Sequence, residues 1–354
     1  MKFFVKLVAL IVLASGVGCA ALLTQNSNPH FNPAKPHHTA NGFQNNYPHM
    51  PNQSFWKWQW ERLRDGTVQP PPGGWASVLP SVKPDVAFLK SNRTERTITW
   101  IGHASVLLQT GGVNIIMDPV FSDRASPVQF AGPQRQVPLM LTIDELPAIE
   151  VVFISHNHYD HLDANTIRTF AQRFPQAAYV VPLGFKPWLA DQGVSNVHEL
   201  DWWDNVKIGA LNYTLVLVQR WSKRTLTDAN RMLWGGIVIE HNGWRFLHTG
   251  DTGYSQDFKD IAAKFPQGFD WAAIPIGAYE PRWFMKAQHV NPDEAVQIMK
   301  DVGARQVLAI HWGTFVLTDE PLDQPPKDLP TARAKYGVGG SKFHVFKNGE
   351  MRQL

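Results

Sequence analysis

Ten short β-type runs, separated by turn signals, occupy the chain from Thr97 to His311: TITWIG, SVLLQT, VNIIMD, VVFIS, AAYVVP, NYTLVLV, GGIVIE, WRFLHTG, WAAIPIG and VLAIH. Helical patterns interrupt this series at few points. In ANTIRTFAQRF, Asp163 is a candidate N-cap, and Ile167, Phe170, Ala171 and Phe174 share one face. PDEAVQIMKDVG opens on Pro292 with acidic residues in its first turn and closes at Gly303. Many strands with few helices predict an α/β protein: two mixed sheets packed face to face and flanked by helices, a four-layer αββα sandwich. No internal repeat of short period is present.

The 354 residues are 44% hydrophobic and 18% charged, which is globular and sufficient for a large core. A net charge of +3 without any Lys/Arg block argues against nucleic acid as a partner. The 14 tryptophans suit core packing first and a membrane interface second. Residues 1–23 read as a signal segment, with Lys2 and Lys6 before an apolar run from Leu7 to Val17. Cys19, the only cysteine, follows that run behind small residues, as in a bacterial lipobox, although Gly16 stands where leucine is usual. A lipoprotein anchor, a cleaved signal and an uncleaved anchor remain open, and each places the protein on the periplasmic side of the cell envelope. Residues 24–54 are rich in Asn, Pro and His and are expected to form a linker, either tether or wrapping, with His37 and His38 solvated. Residues 55–354 form the expected domain, its most compact part starting near Thr97.

Chemistry concentrates in ISHNHYDHLD, where His156, His158, Asp160 and His161 fall within six positions after the apolar run Val151–Ile154. Imidazole nitrogen and carboxylate oxygen suit zinc or a similar divalent ion, and a strand-to-helix loop lets such groups converge. Asp251, in HTGDTGY, and His311, in AIHWGT, also end apolar runs and complete a metal-binding pattern.

The combination of HxHxDH, GDTG and a late strand-end histidine resembles the metallo-β-lactamase fold. The fuller strings WIGHASVLLQ, DPVFSDRASP, RTLTDANRMLWG, IPIGAYEPRWFM and QHVNPDEAV are similar to N-acyl-phosphatidylethanolamine-hydrolysing phospholipase D and its bacterial relatives. The resemblance implies a two-zinc hydrolase: His156 and His158 on the first ion, Asp160, His161 and His311 on the second, and Asp251 bridging. A zinc-bound hydroxide would cleave the phosphodiester of a phospholipid at a membrane surface, releasing a phosphatidic acid and an N-acylethanolamine. Asp160 and Asp251 thereby count as catalytic, with His289 near the phosphate as hydrogen-bond donor or acid. His103 and Asp118 would orient the ligands from behind. Tyr279, Glu280 and Arg282 lie in the family-specific string, where Arg282 could pair with phosphate or with Glu280. A homodimer is compatible with this reading.

One position departs from the family. Relatives carry a third histidine for the first ion in a stretch of the form QHWxKRTL, whereas this chain reads Gln219-Arg220-Trp221-Ser222-Lys223-Arg224-Thr225-Leu226. A guanidinium has no free lone pair and cannot coordinate zinc. Three outcomes follow: a one-ion enzyme with Arg220 serving the substrate phosphate, a two-ion enzyme rescued by His248, or a non-catalytic binder of lipid headgroups. Strand alternation places His248 on the face opposite Asp251, against rescue. A hydrolase of another ester, lactone or phosphodiester also stays open, since one fold hosts many substrates.

Overall fold

The computed structural model describes residues 27–51 and 53–354; the signal segment and Cys19 lie outside the described residues. A two-stranded hairpin, β1 (His38–Thr39) and β2 (Gly42–Phe43), precedes two seven-stranded sheets. The first sheet comprises β3 (Thr97–Gly102), β4 (Ser105–Thr110), β5 (Val113–Met117), β6 (Val151–Phe153), β7 (Ala178–Pro182) and β8 (Val197–Leu200). The second comprises β9 (Asn205–Ile208), β10 (Leu211–Val216), β11 (Gly236–His241), β12 (Trp244–His248), β13 (Phe269–Pro275), β14 (Ala304–Ile310) and β15 (Phe343–His344). The chain then returns, and β16 (Met351–Gln353) pairs antiparallel with β3 to close the edge of the first sheet.

Each sheet is half antiparallel meander and half parallel crossover. β3–β4–β5 are antiparallel and β5–β6–β7–β8 parallel, while β9–β10–β11–β12 are antiparallel and β12–β13–β14–β15 parallel. The expected αββα sandwich of two mixed sheets is therefore present. Period-two alternation assigns side chains to layers. Val106, Leu108, Ile115, Met117, Val151 and Phe153 join the core shared with the second sheet, and the intervening Leu107, Ile116 and Val152 pack on the outer face. There they meet Ile167 and Phe170 of the helix Ala164–Arg173, capped by Asp163 as expected. The helix Pro292–Asp301 has a full capping box, Asn291 with Glu294, and buries Val296, Ile298 and Met299.

The amino-terminal segment corrects one expectation. His37 and His38 are not solvated; both are buried, and both close on the Asp201 carboxylate, His37 Nε2 at 2.7 Å and His38 Nε2 at 2.9 Å. Lys35 Nζ adds a third contact at 2.5 Å, and the Phe43 ring enters the main core. The segment is thus a strap clamped on one buried carboxylate. Local composition hid this, because the partner lies more than 160 positions away. Asp201→Asn is expected to cost about 1.5–3 kcal/mol through loss of charged hydrogen bonds. Denaturant unfolding should show that loss together with faster proteolysis of residues 28–44; unchanged cleavage would refute the clamp.

Candidate metal centre

Every ligand-type group anticipated around the loop comes from the end of a strand. His103 sits in the β3–β4 turn, Asp118 follows β5, the loop Ser155–His161 follows β6, Asp251 follows β12 and His311 follows β14. The carboxyl ends of parallel strands open together at one rim, the usual ligand position of such sheets. The backbone is bent to deliver them: His103, Asp118 and His311 have φ of 53°, 44° and 60°, a left-handed conformation costing about 1–3 kcal/mol each. Gly250, also left-handed at φ 61°, leaves no room for a side chain. A Cβ there would lie 2.6 Å from Ser155 Cβ, so the glycine lets the Asp251 turn press against the metal loop.

Asp160, His161 and His311, with His103 beside them, bring ligand atoms within reach of one another at the second metal position, and Asp251 borders this group. His161 Nε2 lies 3.2 Å from Asp251 Oδ2 and 3.5 Å from Asp160 Oδ2. His311 Nε2 lies 3.0 Å from Asp251 Oδ1 and 3.3 Å from Asp160 Oδ2. Donors of a four-coordinate zinc, with bonds of 2.0–2.2 Å, stand about 3.3 Å apart, which the contacts of His161 and His311 to Asp160 match, while Asp251 meets the two histidines through different oxygens. The hydrogen bonds agree: His161 Nδ1 donates to Asp118 Oδ2 at 2.7 Å, which leaves Nε2 as a buried atom without a partner. Asp118 is itself held by Ser155 N and Oγ, each at 2.7 Å, and His103 Nε2 meets Asp160 Oδ2 at 2.9 Å. Asp118 thus hydrogen-bonds His161, and His103 lies beside Asp160 within the cluster.

The first metal position holds a guanidinium. Arg220 NH2 lies 2.8 Å from Asp251 Oδ2 and 3.0 Å from His158 Nδ1, and NH1 lies 3.0 Å from Gln288 O and 3.1 Å from His289 Nε2. Its Nε is 3.5 Å from His156 Nε2. All four terminal N–H groups are committed within the protein. The anticipated grip of Arg220 on a substrate phosphate is thereby corrected, since no terminal donor is left for it. His248 does not fill the gap: its Nε2 meets Ala104 O at 3.2 Å and its Nδ1 accepts from Gly250 N at 3.1 Å, on the opposite face as alternation required.

Charges within the cluster set its protonation. Burial alone would raise the Asp251 carboxyl, but His161, His311 and Arg220 hold it well below the usual carboxylate range. Burial opposes protonation of His161, yet Asp251, Asp160 and Asp118 push it well above an ordinary imidazole. His158 is driven the other way, down to about 3, by burial and the Arg220 charge.

A cleft of about 710 Å³ opens onto the centre. Asp160, Arg220 and His289 form its polar end, and Phe55, Trp58 and Phe284 contribute apolar wall. None of these aromatics was singled out from the sequence. The family-specific string takes structural roles instead. Arg282 pairs with Glu294 at 2.7 Å and donates to His289 O at 2.9 Å, so it fixes His289 without facing the cleft. The Glu280 carboxylate accepts from Arg282 N, and Tyr279 hydroxyl reaches Asp328 at 2.6 Å. Arg224 was also missed. Its NH1 donates to Asn157 O and Leu162 O and so braces both ends of the metal loop.

Two mixed sheets with a buried His/Asp cluster at the strand ends define a metal-dependent hydrolase. A family model described as a beta-lactamase superfamily domain matches residues 113–312. The chain belongs to that superfamily, with the metallo-β-lactamase fold. N-acyl-phosphatidylethanolamine-hydrolyzing phospholipase D 1 of Caenorhabditis elegans is 42% identical over 240 residues, covering 65% of this chain and 67% of that protein. The mitochondrial N-acyl-phosphatidylethanolamine-hydrolyzing phospholipase D of Saccharomyces cerevisiae is 37% identical over 237 residues, and the match spans 65% of this chain but only 50% of that one. Among solved structures, a possible metal-dependent hydrolase from Veillonella parvula superposes with a TM-score of 0.60 at 17% identity, over 74% of this chain and 100% of that one, a likeness of fold alone.

Proposed function

We propose that the chain is a phosphodiester hydrolase of phospholipase D type, acting on N-acyl-phosphatidylethanolamine-like lipids at a membrane surface. The cleft carries this reading. A polar metal centre at one end and aromatic wall along the other suit a substrate with a phosphodiester head and acyl chains. The helix Phe55–Asp65 links cleft to surface: Trp58 is buried and stacks on Phe284 at 4.9 Å, while Trp56, Trp60 and Leu63 point outward, 80%, 64% and 78% exposed. Their i, i+4, i+7 spacing makes one apolar stripe beside Lys57 and Arg64, the composition of an interfacial helix. The identity to the two phospholipases D supports the same substrate class.

Asp160, His161, His311 and Asp251 would hold a divalent ion, zinc being the best match to two imidazoles and two carboxylates. Such an ion polarises a phosphoryl oxygen and acidifies water. His289 contributes a donor. Because its Nε2 accepts from Arg220, the neutral ring carries its proton on Nδ1, a buried atom without a partner. Burial and the Arg220 charge hold this histidine well below the ordinary imidazole range, so it donates a hydrogen bond and does not act as an imidazolium acid.

Purified protein should release phosphatidic acid from vesicles containing N-acyl-phosphatidylethanolamine, and a chelator should stop the reaction. Trp56→Ser with Trp60→Ser should slow hydrolysis of vesicles by roughly tenfold or more, corresponding to about 1.4 kcal/mol or more of lost interfacial binding, and spare a short-chain soluble analogue. Hydrolysis of lactones or thioesters without any phosphodiester cleavage would sink the proposal.

A further inference from the structure

We propose that Arg220 is a resident cation that replaces the first metal ion, leaving a one-ion enzyme in which former metal-side histidines become hydrogen-bond donors. This deepens the reading above, whose hydrolase centre it concerns. Three observations converge. The guanidinium lies against His158, Asp251 and His156, the groups that would otherwise surround an ion. It is 4% exposed, and Asp251, to which it bonds, is 1% exposed, so no second cation could share that carboxylate oxygen without displacing the arginine.

Charge balance gives the second argument. Asp118, Asp160 and Asp251 bring three carboxylates together, Asp118 and Asp251 fully buried and Asp160 partly so, and Arg220 is the permanent cation among them. One divalent ion at the second position, with His161 and His311 as neutral ligands, together with Arg220 balances the three carboxylates. A further divalent ion would leave an uncompensated buried charge, which costs several kcal/mol.

Proton placement is the third. A guanidinium only donates, so His158 Nδ1, which faces NH2 at 3.0 Å, must accept. The neutral His158 ring then carries its proton on Nε2, again a buried atom without a partner, on a residue that lines the cleft. His289 is set the same way through NH1. Arg220 thus acts as a positioning residue. It leaves the proton on His158 Nε2 and on His289 Nδ1, the latter 3.8 Å from Asp251 Oδ2, two N–H donors beside the metal centre suited to the oxygens of a phosphodiester.

The test is the metal content of the full-length protein after loading with zinc and removal of excess, measured by plasma mass spectrometry. The expected content is about one ion per chain, unchanged in His156→Ala, rising to about two in Arg220→His, which restores an imidazole beside His156 and His158. About two ions in the unmodified protein, or loss of the ion in His156→Ala, would overturn the proposal. Should Arg220→His fail to fold, the His156→Ala result decides alone. Metal content needs no substrate: one ion without lipid hydrolysis leaves this inference standing and removes the proposed function, and two ions with hydrolysis do the reverse.

Discussion

His161→Ala is expected to strip the protein of its ion and lower turnover by roughly 10³-fold or more, the several kcal/mol that a metal contributes to such a reaction. His161 Nε2 is central to the donor set, 3.2 Å from Asp251 and 3.5 Å from Asp160, and its ring is fully buried and locked by Asp118. Its nearest histidine neighbours are already engaged. His156, with its ring centroid 4.1 Å away, already faces Arg220, and His103 is engaged with Asp160. His248→Ala serves as the matched control, since that ring hydrogen-bonds only to backbone and packs on Phe153, and it should retain the ion. Metal analysis beside the vesicle assay checks both; a metal-replete, active His161→Ala protein would show that the ion sits elsewhere.

Asp251→Asn is expected to be the most destabilising single change at the centre, by about 3–5 kcal/mol, because it strands the buried Arg220 charge. Asp251 Oδ2 is the only carboxylate oxygen within hydrogen-bond distance of Arg220 among the described residues. Adding Arg220→Met should recover part of the loss, so that the double variant is less destabilised than the two single changes combined. Denaturant unfolding of the four proteins of this cycle gives the coupling directly. Strict additivity would mean that the arginine and the aspartate do not depend on each other.

The sheet-forming part of the fold was legible because period two is a local property. Leu107, Ile116 and Val152 alternate with core residues in the sequence as they do between layers, and the same alternation removed His248 from the ligand set. The metal loop was legible because its ligands crowd into six positions. What escaped was long-range pairing. Asp201 gives no sign in its own neighbourhood that it will bind His37 and His38, and nothing around Arg282 distinguishes Glu294 from Glu280 as its partner. Arg220 shows the limit most clearly. Its side-chain chemistry excluded coordination from the sequence alone, but only the positions of Gln288 O, His289 and His158 reveal that its terminal donors are spent. The cleft belongs to the same class, since Phe55, Trp58 and Phe284 come together from segments over 200 residues apart.

Anomalous diffraction from crystals of the zinc-loaded protein tests the central claim most directly. One peak is predicted, among Asp160, His161, Asp251 and His311, with the Arg220 guanidinium in density between His158 and Asp251. Two peaks, with Arg220 swung out and an ion against His156 and His158, would contradict the account.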